Sequence, residues 1–146
     1  YKKDKREMSN AFWSLYIFQF IISLLSFFIY VLYFSVLNVE NKLIVVILGL
    51  YVLSSMFDVS WLFFGLEEFK ATVLRNIIIK VLSFVCIIIF VKSSEDLWIY
   101  TLIMSLSFLI SQLILWPFVF SKVSFTKIKF KDITKHIKPV FLLFLP

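Results

Sequence analysis

Cysteine and histidine each occur once in these 146 residues, glycine twice and proline three times, and each scarcity removes a class of architecture or chemistry. The single thiol, Cys86, rules out an internal disulfide, and inside an apolar run its default role is that of a small buried hydrophobe. One histidine, His136, leaves no Ser/His/Asp set and no metal-spaced Cys/His cluster, and no glycine-rich phosphate loop is present. So few turn formers leave a tight β architecture without its turns. Charge is scarce as well, at 16% against roughly 25% in soluble domains, while hydrophobic residues reach 62%. These residues offer no enzymatic constellation and imply no cofactor.

What the chain has in abundance is uninterrupted apolar sequence. Four runs, 11–37, 43–66, 73–91 and 97–120, occupy most of it. The first and last contain no Asp, Glu, Lys or Arg, the second contains Asp58, and the third contains Arg75 and Lys80. At about 1.5 Å rise per residue, roughly 20 helical residues cross a hydrocarbon core of about 30 Å. A membrane β-strand needs only about ten residues and alternates, which these runs do not, so the backbone satisfies itself inside helices. The sequence therefore predicts an all-α integral membrane segment with four spanning helices and tight turns at 38–42 and 92–96. A basic connection follows over 121–138, and 139–146 reads as the first turns of a further helix near Pro139. Because it opens in a charged stretch without Met and closes in that apolar stub, the chain is expected to be a piece of a larger protein.

Positive charge collects at alternate ends of the runs. Lys2, Lys3, Lys5 and Arg6 precede the first, Lys70 lies between the second and the third with Arg75 near the third's start, and Lys122, Lys127, Lys129, Lys131, Lys135 and Lys138 follow the fourth. The other two connections hold Lys42 and Lys92, offset by Glu40, Glu95 and Asp96. The positive-inside rule then places both ends and the central connection in the cytoplasm. Topology accounts for the net charge of +6 without a nucleic-acid partner. Phe130, Ile133, Ile137 and Phe141 recur at helical spacing among the lysines, a pattern suited to a short interfacial helix touching anionic membrane lipids.

Polar residues inside the runs carry the functional information. Tyr16, Gln19, Ser23, Ser26, Tyr30 and Tyr33 form a stripe on the first helix, which serves either helix packing or a hydrated cavity. Thr101, Ser105 and Gln112 share a face of the fourth, with Ser111 beside Gln112. Asp58 is costly inside a membrane unless paired or hydrated, and it shares a face with Ser54, Trp61, Gly65 and Glu68. If the hairpin turns near Phe69, Lys80 lies at the same depth as Asp58, so the two are predicted to interact. The pair is either structural or the edge of a cytoplasm-facing cavity, and a third possibility is that Lys80 snorkels to the interface. Arg75 and Lys80 are suited to drawing in an anionic head group, since guanidinium forks match phosphate. The candidate cavity residues are Asp58, Trp61, Arg75, Lys80, Gln19 and Gln112.

The string D-V-S-W-L-F-F-G-L-E-E-F-K-A-T-V-L-R-N over 58–76 resembles the Wzx-type polysaccharide-biosynthesis flippases of the MOP exporter superfamily. Asp58, Trp61, Gly65, Glu67 and Phe69 carry the motif. The segments 91–100 (V-K-S-S-E-D-L-W-I-Y) and 136–146 (H-I-K-P-V-F-L-L-F-L-P) extend the likeness, as the outer turn before helix six and the start of helix seven. The resemblance implies a piece covering helices three to six of roughly twelve to fourteen, arranged in two lobes. It further implies alternating-access transport of undecaprenyl-pyrophosphate-linked oligosaccharide across a bacterial inner membrane for O-antigen, capsule or exopolysaccharide, beside other polysaccharide-assembly membrane proteins. Another exporter of the superfamily, for peptidoglycan precursors or drugs, is the nearest alternative. A membrane-embedded polymerase or acyltransferase is the alternative of a different class, against which the short outer turns argue.

Overall fold

A computed structural model describes residues 2–36 and 40–126 of the chain, all of whose regular elements are helical. The helices are α1 (Lys2–Val36), α2 (Lys42–Ser54), α3 (Ser60–Gly65), α4 (Phe69–Phe90), α5 (Leu97–Leu113) and α6 (Trp116–Lys122), with single 3-10 turns at Ser55–Phe57 and Ser94–Asp96. They make four stretches long and apolar enough to cross a membrane, Lys5–Val36, Lys42–Gly65, Phe69–Phe90 and Ser94–Lys122. Bands of exposed Ile, Leu, Val and Phe along α1 and α4 form the surface that lipid covers. The basic connection and the start of a further helix read at 121–138 and 139–146 lie outside the described residues from 127 onward. Part of the turn at 38–42 lies outside them too.

Two of the four spans are broken, where the sequence suggested continuous helices. The fourth breaks at Ile114–Leu115, and Pro117 explains why. Proline has no N–H for the carbonyl four residues back, here Leu113, and its ring crowds that carbonyl, so α5 ends at Leu113 and α6 starts afresh with Pro117 in its first turn. The second span breaks over Ser55–Val59 without proline or glycine. There Ser54 and Ser55 turn their hydroxyls back onto the carbonyls of Tyr51 and Val52, at 2.6 and 2.7 Å, and such back-bonding bends helices.

The dense core lies at the end of the bundle that carries Lys5, Lys70 and Lys122. Phe12 and Trp13 of α1, Val59, Leu62 and Phe63 around α3, and Leu115, Val119 and Val123 around α6 are buried together there. Indole N–H groups stitch this end: Trp13 donates to the Ser124 carbonyl at 3.0 Å and Trp116 to the Phe57 carbonyl at 3.1 Å. Ser124 N–H donates in turn to Ser9 Oγ, and Lys122 pairs with Glu68. Toward the other end α2 packs mainly on α5, with α1 against α2 and α4 against α5. Lighter ties hold that half, among them Tyr30 Oη donating to the Val45 carbonyl and the Ser83–Ser107 hydroxyl pair, both at 2.7 Å. At the turn over 92–96 the Asp96 carboxylate accepts from the N–H groups of Lys92 and Ser93, and Ser93 completes a capping box.

Candidate functional site

A cavity of about 560 Å³ opens between α2, α4 and α5, beside the break in the second span. Its charged lining is Asp58, Arg75 and Lys80, joined by Asn76, Ser111 and Gln112; Tyr51 and Phe108, stacked at 4.5 Å, are among its aromatic wall. Four candidates from the sequence, Asp58, Arg75, Lys80 and Gln112, thus meet at one site.

Asp58 and Lys80 line this cavity together, but the ion pair expected between them is not formed. Among the described residues the ion pair is Lys122 with Glu68. Asp58 Oδ1 instead accepts from the Ser60 N–H at 3.0 Å and from Ser60 Oγ at 2.5 Å, an Asx-type turn that starts α3. The break places the carboxylate at a helix start rather than mid-helix, so local donors replace the lysine. Lys80 keeps an exposed ammonium on the cavity wall.

Gln19 and Trp61 do not line the cavity; they stand behind Asp58 and hold the break. Gln19 Nε2 donates to the carbonyls of Ser55 and Asp58 at 3.1 and 2.8 Å, while its Oε1 accepts from Trp61 Nε1 at 2.8 Å. Carbonyls freed from a helix inside a membrane need such partners, because lipid supplies none. The polar stripe on α1 is therefore chiefly a packing device: Ser23 is buried and Tyr30 ties α2, while Ser26 and Tyr33 stay exposed.

Arg75 follows the same logic from the other break. When Pro117 ends α5, the Leu115 N–H bonds the Gln112 carbonyl, and the Ser111 carbonyl loses its usual helical donor. Arg75 Nη1 takes that carbonyl at 2.7 Å and Nη2 donates to Asn76 Oδ1 at 3.0 Å. The side chain is only 8% exposed, within Coulombic reach of Asp58, and its Nε has no partner. Both terminal nitrogens of the guanidinium are thus engaged by the protein, and Lys80 is left as the exposed cation of the cavity. Neither Trp116 nor Pro117 stood out in the sequence reading. The one sequence signal for this second break is a proline inside an apolar run.

The remaining motif residues lie toward the basic end. Gly65 borders a small groove with Trp61 and Phe12, and a Cβ built on it meets nothing within 4 Å. Glu67 and Phe69 line a second cavity, of about 520 Å³, with Lys70, Leu74, Phe118 and again Arg75.

A family model described as "Polysaccharide biosynthesis protein" matches residues 1–145. The chain belongs to that family. No curated protein and no solved structure matches it. In this polysaccharide biosynthesis protein Asp58 and Trp61 build the break in the second span, Gly65 is the last helical residue of α3, and Glu67 and Phe69 lie at the reversal into α4.

Proposed function

We propose that the chain forms part of a flippase that moves an undecaprenyl-pyrophosphate-linked oligosaccharide from the cytoplasmic to the outer leaflet of a bacterial inner membrane, by alternating access. The observation that carries this reading is the charged cavity between membrane-length helices, with Lys80 presenting an ammonium inside it. Maintaining charged groups at such depth is expensive, and in membrane proteins they mark substrate paths. Lys80 would meet the diphosphate as a point charge, with Arg75 anchoring the wall behind it. The hydroxyls and amides of Ser83, Ser107, Asn76 and Gln112 suit sugar hydroxyls, and the aromatic wall suits sugar faces. The lysine-rich end faces the cytoplasm by the positive-inside rule. Partners of this machine would be the lipid-linked substrate, surrounding lipids and other membrane proteins of polysaccharide assembly.

Complementation of a flippase-deficient strain tests the reading. Losing one charge-assisted contact to phosphate is worth about tenfold or more in rate, so Lys80→Gln is expected to cut surface polysaccharide and to accumulate the lipid-linked intermediate at normal protein abundance. Lys80→Arg is expected to retain much of the activity. Full complementation by a Lys80→Gln/Arg75→Gln protein at normal abundance would remove the cavity cations from the transport mechanism.

A further inference from the structure

The two large cavities have one lining residue in common, Arg75. One cavity lies among the spans; the other opens at the rim, where α4 begins and α6 passes it. The guanidinium wall between them is held by a backbone carbonyl that is available only because Pro117 breaks the fourth span. That position also leaves two buried groups unsatisfied: the Nε–H of Arg75 and the Oε1 of Gln112, the residue next to the Ser111 latch. A donor without a partner on the latched arginine, and an acceptor without a partner on the residue next to its carbonyl anchor, reduce the advantage of the latched position.

We infer that Arg75 is a door between two chambers of a single passage, and that the rim chamber is a first station for a diphosphate-bearing amphiphile. Rotation of the guanidinium toward Gln112 Oε1 gives both stranded atoms a partner and opens the wall. An arriving phosphate favours this, since a charged oxygen is a stronger partner for guanidinium than a neutral carbonyl. The rim chamber has matching chemistry: Lys70 for the phosphate, Glu67 for sugar hydroxyls, and Phe69, Leu74 and Phe118 for the hydrocarbon chain. The identity of the ligand rests on the flippase reading; the door does not.

Thiol labelling separates the two. In the intact protein freed of other cysteines, with Cys86→Ser, single reporters are placed in the spanning cavity (Met104→Cys) and in the rim chamber (Ala71→Cys). A membrane-impermeant sulfonated methanethiosulfonate is added on the side that carries Lys70. With Arg75 present, Ala71→Cys is expected to react readily and Met104→Cys slowly. Removing the latch with Arg75→Ala is expected to speed Met104→Cys about tenfold, the equivalent of one lost charge-assisted hydrogen bond, while Ala71→Cys changes less than about twofold. Asn76→Ala, which cuts one tether from an exposed side chain, is expected to move Met104→Cys in the same direction by a smaller factor and guards against misfolding of the first variant. Equal reactivity of Met104→Cys with and without Arg75, or equal acceleration at both reporters, overturns the door. In a second arm, farnesyl diphosphate is expected to slow labelling of Ala71→Cys, and inorganic pyrophosphate at the same concentration is not. If neither protects while the first arm holds, the ligand assignment and the flippase reading fail and the door stands; if both protect equally, the amphiphile assignment fails.

Discussion

At Glu67 the backbone takes φ 58°, the left-handed region where a side chain costs about 1–2 kcal/mol and glycine is the usual occupant. The reason is the way α3 stops. The Glu68 N–H bonds the Phe63 carbonyl at 2.8 Å and the Glu67 N–H bonds the Phe64 carbonyl at 3.1 Å, a Schellman closure with Glu67 in the αL place. Gly65 sits two residues too early to take that place and is plainly helical. Glu67→Gly is therefore expected to hold or raise stability by up to about 1 kcal/mol, and Glu67→Val to lower it by about 1–2 kcal/mol, read from thermal unfolding in detergent. A stable Glu67→Gly protein that still loses transport would show that the carboxylate itself is used. Position 67 illustrates what a sequence hides: the string shows an acid, and only the backbone φ and its hydrogen bonds show a place that favours glycine.

The elements repeat one device, a broken span whose loose carbonyls are taken by side chains from another helix. Gln19 makes three such bonds at the first break. Gln19→Leu leaves two carbonyls and an indole N–H without partners, at about 1 kcal/mol or more apiece, so a loss of roughly 3 kcal/mol is expected in unfolding. Asp58→Asn is expected to be mild by the same measurement, because its amide oxygen still accepts from Ser60, whereas Asp58→Ala loses the turn at about 1 kcal/mol. A severe effect of Asp58→Asn on stability would mean that the charge, rather than the turn, holds α3. The four spans were legible from apolar length alone, since hydropathy depends only on composition along the chain. The breaks were not, because residues 55–59 keep the hydropathy of a span and Pro117 is a single letter inside another. The pairing of Asp58 with Lys80 failed for the same reason: equal distance from a hairpin presumes unbroken helices. Arg75 reads in the sequence as a cation for an anionic head group, and its partner in the structure is a main-chain carbonyl 36 residues away, which leaves no mark in the sequence.

For the molecule as a whole, orientation is set by lysines and arginines that gather at one end. Asn41→Cys and Glu95→Cys, in the sparsely charged turns, are expected to react with an impermeant thiol reagent from outside the cell, and Glu68→Cys only after the membrane is opened. The reverse pattern would invert the molecule. The packed core and its indole ties also gather at that end, and this asymmetry has a mechanical consequence. A bundle clamped at one end behaves as a set of levers with a common fulcrum near Trp13, Phe63 and Val119. From Trp13 to Val36 α1 runs about 35 Å, so a rocking of only about 10° at the fulcrum carries the far tip roughly 6 Å. Any small repacking among the few aromatic rings beneath the lysines would thereby be geared up into a wide excursion at the opposite end of the bundle.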